Sequence, residues 1–101
     1  MRYEQDGYWI DRDLNGNINL GLTKQKLCEL GELIMCIPQA QTNRNVKVGD
    51  RLFSIETHKC LKTLRFPVSG KLIYLQKELE DNVTTLTENT IVATLKDSNE
   101  M

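Results

Sequence analysis

The stretch Ile55-Glu56-Thr57-His58-Lys59-Cys60-Leu61-Lys62 joins two apolar runs, Arg51 to Glu56 and Leu61 to Phe66, whose ends it includes. Pro67-Val68-Ser69-Gly70 follows the second run, where proline is expected because it donates no hydrogen bond to a strand pair. The pattern predicts a β-hairpin whose polar tip carries Lys59. A lysine at such a tip is accessible to an enzyme that acylates it, although most isolated lysines are solvated surface charge.

The length of 101 residues predicts one domain, spanning residues 1–101. The chain has 40% hydrophobic and 27% charged residues and a net charge of −1, which gives no electrostatic case for nucleic acid or membrane partners. No apolar run approaches the ~20 residues that a membrane span needs. The first seven residues hold no apolar stretch, so the sequence gives no sign of a secretory signal.

The cysteines, Cys28, Cys36 and Cys60, have long and unequal spacings. An odd number without a CxxC pair argues against a disulfide framework and against a zinc site. We therefore expect a reducing, cytoplasmic environment. Cys60 is expected to be a partly buried, inert thiol, and His58 a surface histidine without a partner for acid–base or metal chemistry.

The N-terminal third predicts a hairpin. Tyr8-Trp9-Ile10 is typical of a strand, and Asn17 to Leu20 alternates as a half-buried return strand does. Asn15-Gly16 between them predicts a type I′ turn, in which both central residues have positive φ.

A short helix is predicted next, over residues 24–30. Thr23 suits its N-cap and Gly31 its C-terminal end, while Leu27 and Leu30 share a face that would cover an open end of the sheet. Leu33 to Ile37, ended by Pro38, predicts a strand buried on both faces.

The rest of the chain predicts a polar loop over 39–45, a helical turn around residues 77–80 and a last strand over 90–95, with fraying from Lys96. The segments Val48 to Glu56 and Val68 to Gln76 resemble each other. This repeat suggests two related halves, with the Lys59 turn on the dyad between two small sheets.

Several short motifs are spread in order along most of the chain. They are Gly21-Leu22-Thr23, Leu30-Gly31, Leu33 to Pro38, Val48-Gly49-Asp50, Glu56-Thr57-His58-Lys59, Pro67-Val68-Ser69-Gly70 and Leu79-Glu80-Asp81-Asn82. In order and near-matching spacing they resemble the motifs of a family, the H proteins of the glycine cleavage system, which are relatives of the lipoyl domains of 2-oxoacid dehydrogenases.

The resemblance implies a mostly β fold with one short helix, a flattened antiparallel β-barrel or barrel-sandwich hybrid. It implies a non-catalytic carrier with lipoate attached covalently to Lys59. It also implies that a lipoate ligase or lipoyltransferase reads Glu56. Gly70 is expected to be a turn residue that sets the hairpin geometry. A solvated carboxylate is an equal alternative for Glu56.

Lys62 is a rival acceptor, ranked below Lys59 because it lies past the expected tip. Biotin is a rival modification, and it is disfavoured because biotin sites usually have methionine on both sides of the lysine, whereas His58 and Cys60 flank Lys59 here.

The chain also departs from the family's pattern. The P-Y-G-x-G-W stretch is replaced at Thr87-Glu88-Asn89-Thr90, and the sequence ends six residues after Leu95, without the usual C-terminal helical segment. Those parts help bury the loaded arm and dock glycine-system partners. The departure weighs against glycine cleavage itself and not against lipoylation.

Short variants of this kind resemble a microbial subgroup in which a lipoate ligase, an ADP-ribosylating sirtuin and a macrodomain protein act on the carrier in a redox or stress response. The alternatives are a true glycine cleavage H protein and a relay that hands lipoate to 2-oxoacid dehydrogenases. A different class, an unmodified β-sandwich that serves as an interaction module, also fits the pattern.

Overall fold

In the computed structural model, residues 1–97 are described, and they form nine strands, one α-helix and two 3₁₀ helices. The strands are β1 (Arg2–Gln5), β2 (Tyr8–Arg12), β3 (Asn17–Leu22), β4 (Leu33–Pro38), β5 (Arg44–Val46), β6 (Arg51–Thr57), β7 (Leu61–Arg65), β8 (Gly70–Leu75) and β9 (Ala93–Lys96). The helix α1 is Lys24–Leu30, and the 3₁₀ helices are Lys77–Glu80 and Val83–Thr85.

The strands form two antiparallel sheets. One has six strands in the order β1-β2-β3-β9-β8-β5, and the other has three in the order β4-β6-β7. Large apolar side chains from both sheets, among them Ile10, Leu72 and Phe53, belong to one buried cluster. The predicted mostly β class with one short helix is confirmed, and within residues 1–97 the two sheets do not close into a barrel.

The N-terminal hairpin is confirmed, but the predicted type I′ turn at Asn15-Gly16 is wrong. Gly16 has positive φ and Asn15 does not; a four-residue loop, residues 13–16, joins β2 and β3. The two-residue turn with positive φ at both centres lies instead at Asp6-Gly7, where Gln5 pairs with Tyr8. The polar β1, which the sequence analysis did not predict, is held there as an edge strand.

The predicted helix and its ends are confirmed. The Thr23 hydroxyl accepts a hydrogen bond from the Lys26 N–H at 3.1 Å, and Gly31 ends the helix with φ 76°. Leu30 is buried, and Leu27 packs against the same core. A helix of one and a half turns is marginal alone, so this packing stabilises it.

The prediction that residues 33–37 are buried on both faces is wrong. β4 is an edge strand of the three-stranded sheet, paired with β6. Cys36 faces the core, while Ile34, Met35 and Ile37 are 43%, 44% and 37% exposed. An apolar run does not distinguish a strand covered on both faces from an edge strand whose outer face is uncovered.

The two repeated segments correspond to strands in different sheets, β6 in the smaller and β8 in the larger. The Lys59 turn, however, joins two neighbouring strands of one sheet, so its predicted place between two sheets is wrong. The predicted loop over 39–45 ends earlier, because β5 pairs with β8. The helical turn over 77–80 is confirmed as a 3₁₀ helix.

The last strand begins later than predicted, at Ala93 rather than Thr90. The predicted fraying is wrong at Lys96, which belongs to β9 and pairs with Asn17. It is wrong at Asp97 as well, whose N–H donates to the Gly16 carbonyl at 3.1 Å. Residues 98–101, the rest of that prediction, lie outside the described part of the chain.

Candidate functional site

Lys59 is exposed in the turn between β6 and β7, as predicted. Thr57, the last residue of β6, is 4% exposed, and its Oγ1 accepts hydrogen bonds from the N–H groups of Lys59 at 3.1 Å and Cys60 at 3.2 Å. The same hydroxyl donates to the Cys60 carbonyl at 3.3 Å, which also accepts from the Thr57 N–H at 2.9 Å. One buried hydroxyl therefore organises the whole tip.

The tip lies against the end of α1. A Cβ added to Gly31 would be 3.8 Å from Lys59 Cε and 4.0 Å from its Nζ, so the lysine side chain rests over the glycine that ends the helix. Beside it, His58 Nε2 lies 3.4 Å from Glu32 Oε2, and both side chains are mainly exposed. The expectation of a surface histidine is confirmed, and Glu32 is a neighbour that the sequence analysis did not predict for it.

Next to this corner is a shallow cleft of about 230 Å³. It is bordered largely by apolar side chains, namely Leu27 of α1, Leu33 of β4, Val83 of the second 3₁₀ helix and Leu86 just after that helix. Glu32 and Thr84 lie at its polar side. Lys59 therefore stands next to a small apolar recess.

Glu56 is half-buried in β6. Its partners across the strands are Met35 in β4 and Leu61 in β7, which are 44% and 74% exposed. Residues paired across strands share one face of a sheet. The carboxylate is therefore centred between two exposed apolar side chains on the outer face of the smaller sheet.

Lys62, the rival acceptor, lies inside β7, where it pairs with Ile55. The turn residues are His58, Lys59 and Cys60, so Lys62 is in regular strand and Lys59 is at the tip. Cys60 lies in the exposed turn, so the expectation of a partly buried thiol is wrong.

Gly70 is a strand residue, not the predicted turn residue, and it lies in the larger sheet at the start of β8. An added Cβ would lie 2.7 Å from the Lys96 carbonyl oxygen and 3.2 Å from Leu95 Cβ. The glycine thus permits the close approach of β8 and β9, and it has no part in the Lys59 turn.

No group of three or more histidine, cysteine, aspartate or glutamate side chains within residues 1–97 is placed to hold a metal ion. In the same residues, no helix has the length and apolar character that crossing a membrane requires. Burial raises the pKa of the Cys36 thiol to about 12, and desolvation raises that of Tyr8 as well; both groups belong to the core.

Sequence reasoning singled out Lys59 and Glu56. It did not single out Thr57, which bonds the turn, or Glu32, which contacts His58. A threonine at a strand end before a polar turn is a usable signal, because its hydroxyl bonds backbone groups two or three residues on. No local signal predicts the approach of Glu32 to His58, which depends on how α1 and the hairpin pack.

Comparison with known proteins first defines the fold. A crystal structure of a glycine cleavage system H protein from Mycobacterium marinum superposes with a TM-score of 0.76, covering 96% of this chain and 83% of that one at 20% identity. At this identity the likeness shows a shared fold, and the class is that of an H-protein-like β-sandwich.

Sequence comparison then defines the family. The family model of the glycine cleavage H-protein matches residues 1–95, and the chain therefore belongs to the glycine cleavage H-protein family. Relatives named glycine cleavage system H protein are 27% identical over 82 residues in Bifidobacterium longum and over 89 residues in Chromohalobacter salexigens. The matches cover 81% and 88% of this chain but 58% and 67% of the relatives.

Proposed function

We propose that this protein is a non-catalytic lipoyl carrier, with lipoate joined by an amide to Nζ of Lys59. The observation that carries the proposal is the exposed lysine at the end of an ordered hairpin. Family membership supports it, since the matched relatives are named as H proteins.

The local geometry suits attachment. Among residues 1–97, Lys59 Nζ makes no ion pair, so acylation costs no existing interaction. The bound dithiolane supplies the redox and group-transfer chemistry. The chain's own part is to hold the lysine in the open, on a short turn fixed to a sheet.

Glu56 is proposed as the residue that the lipoate-attaching enzyme reads. Its exposed apolar neighbours Met35 and Leu61 would let that enzyme bury a contact around a single charge, which gives specificity because wrong partners leave the charge unpaired. Gly70 contributes by shaping the larger sheet, at a distance from the turn.

The partner enzymes divide into three proposals. The relatives' names favour the glycine cleavage enzymes, while a lipoyl relay to 2-oxoacid dehydrogenases and a redox system with an ADP-ribosylating sirtuin and a macrodomain protein are alternatives. Incubation of the lipoylated chain with each enzyme set separates them: reduction and aminomethylation of the arm, transfer of lipoate, or transfer of ADP-ribose from NAD. Free cysteines at positions 28, 36 and 60 suit a cytoplasmic setting.

An unmodified interaction module is the competing class, and the exposed apolar side chains of β4 favour it as an alternative. The intact mass after incubation with a lipoate ligase, ATP and lipoate separates the two classes. A carrier gains one lipoyl group in the native chain and in Lys62→Arg, and none in Lys59→Arg. A native chain that gains no lipoyl group would contradict the carrier proposal.

A further inference from the structure

We propose that Thr57 is a positioning residue for the modification of Lys59. Its hydroxyl keeps the turn in the shape that the attaching enzyme must bind. This inference rests on the proposed lipoylation of Lys59 and adds to it a residue that does not itself meet the enzyme.

The contacts of Thr57 single it out. The side chain is buried at 4% exposure, and its hydroxyl bonds the N–H groups of Lys59 and Cys60 and the carbonyl of Cys60. A buried hydroxyl that makes all of its bonds to one turn specifies that turn, because any other backbone shape would leave it unpaired.

Apart from the hydroxyl, one backbone hydrogen bond closes the turn, from the Thr57 N–H to the Cys60 carbonyl at 2.9 Å. His58, Lys59 and Cys60 are all exposed, and none of them is a glycine or has positive φ. Their side chains therefore bury little surface that would favour one conformation. The hydroxyl of Thr57 accepts the hydrogen bonds of the Lys59 and Cys60 N–H groups, which would otherwise bond to water.

A loosened turn changes binding more than chemistry. If only a fraction of molecules holds the competent shape, the apparent affinity falls by that fraction, while a bound, correctly shaped turn reacts as before. Loss of the three hydrogen bonds that the hydroxyl makes predicts a rise in KM of about tenfold with kcat within about twofold.

The test uses the full chain in three variants. Thr57→Val removes the hydroxyl and keeps the branched shape, and Thr57→Ser keeps the hydroxyl. Thr94→Val is the matched control, since Thr94 is also buried, at 9% exposure, and bonds Asn19 Oδ1 in the larger sheet at 2.8 Å. Lipoylation rates against chain concentration give KM and kcat, and hydrogen exchange reports the Lys59 and Cys60 amides.

We expect Thr57→Val alone to raise KM and to speed exchange of both amides, by about tenfold each, with Thr57→Ser restoring native values. Native KM in Thr57→Val, or an equal rise in Thr94→Val, would overturn the inference. A native chain that accepts no lipoyl group would instead refute the proposed function, and unchanged amide exchange in Thr57→Val would then overturn the positioning role too.

Discussion

Two of the hairpin connections, residues 13–16 and residues 58–60, are each held by a side-chain oxygen that accepts hydrogen bonds from backbone N–H groups. They differ in whether that oxygen is exposed or buried. In the first, the Asp13 carboxylate accepts from the N–H groups of Asn15 at 2.9 Å and Asn17 at 3.0 Å, and it is exposed to water. In the second, the bonding hydroxyl of Thr57 is buried.

The difference shows which kind of hairpin tip can hold a residue in a fixed place for an enzyme to bind. Leu14 at the first tip is fully exposed, and the side chain that bonds its loop is an exposed carboxylate. Lys59 at the second tip rests over Gly31 beside the Glu32–His58 pair. A tip that is anchored in the core and backed by a helix end is the better platform for an enzyme to bind.

The largest contrast is expected between two thiols near the Lys59 hairpin. Cys60 is exposed in the turn, and Cys36 on the adjacent β4 is 1% exposed. In a Cys28→Ser background, we expect Cys60 to react with a thiol reagent at least about a thousandfold faster, because Cys36 needs an opening of the core. Comparable rates would mean that β4 opens readily.

The same buried thiol gives a pH dependence. Burial raises the pKa of Cys36 from 9.0 to about 12, so the folded chain keeps this proton over a range in which the unfolded chain releases it. The free energy of unfolding should therefore fall as pH rises from about 9 to about 12. Cys36→Ala, as a control, should show a shallower fall, measured by urea unfolding at each pH.

The largest loss of stability is expected from truncating a buried side chain of the Lys59 hairpin. Phe53 in β6 is 1% exposed, and Phe53→Ala should lower the free energy of unfolding by about 3–5 kcal/mol. Leu14→Ala at the other tip should change it by less than about 0.5 kcal/mol. Equal effects in urea titrations would refute the contrast between the two hairpins.

A smaller fall in the free energy of unfolding is expected from a substitution away from both hairpin tips. Gly70→Ala places a Cβ against the Lys96 carbonyl and should cost about 2 kcal/mol through overpacking of β8 on β9. Gly49→Ala is the control, with φ +94° and open space around its Cβ position, and should cost about 1 kcal/mol. Lipoylation of the folded Gly70→Ala chain should proceed at the native rate. A slower rate would mean that Gly70 does influence the Lys59 turn.

The smallest effect is expected at the exposed loop. Asp13→Ala removes the acceptor of two backbone N–H groups and should destabilise the chain by about 1 kcal/mol. Lipoylation kinetics should stay native, in contrast to Thr57→Val. An altered KM in Asp13→Ala would show that general loosening, rather than the Lys59 turn, controls modification.

Much of this structure follows from local sequence signals. Thr23 and Gly31 mark the helix ends because capping depends on neighbouring residues, and the apolar runs around residues 55–62 define the hairpin with Lys59 at its tip. The family resemblance, carried by ordered motifs, adds the proposed modification and Glu56.

The misses share a physical cause, which is dependence on distant partners. β1 is polar and forms because β2 offers it an edge. Several apolar side chains of β4 are partly exposed because β4 is an edge strand of the smaller sheet. The Glu32–His58 pair and the contact of Gly70 with Lys96 bring together elements that are far apart in sequence. Two readable local signals went unused: the strong turn dipeptide Asp6-Gly7, and Thr57 at a strand end before a polar turn.

The most direct test of the central claim is to map the site of modification. The native chain is treated with lipoate ligase, ATP and lipoate, digested, and sequenced by fragment mass spectrometry. We predict one lipoyl group, located on Lys59, with Lys62 and every other lysine unmodified. A lipoyl group on Lys62 or elsewhere, or none at all, would contradict the carrier function proposed for this hairpin.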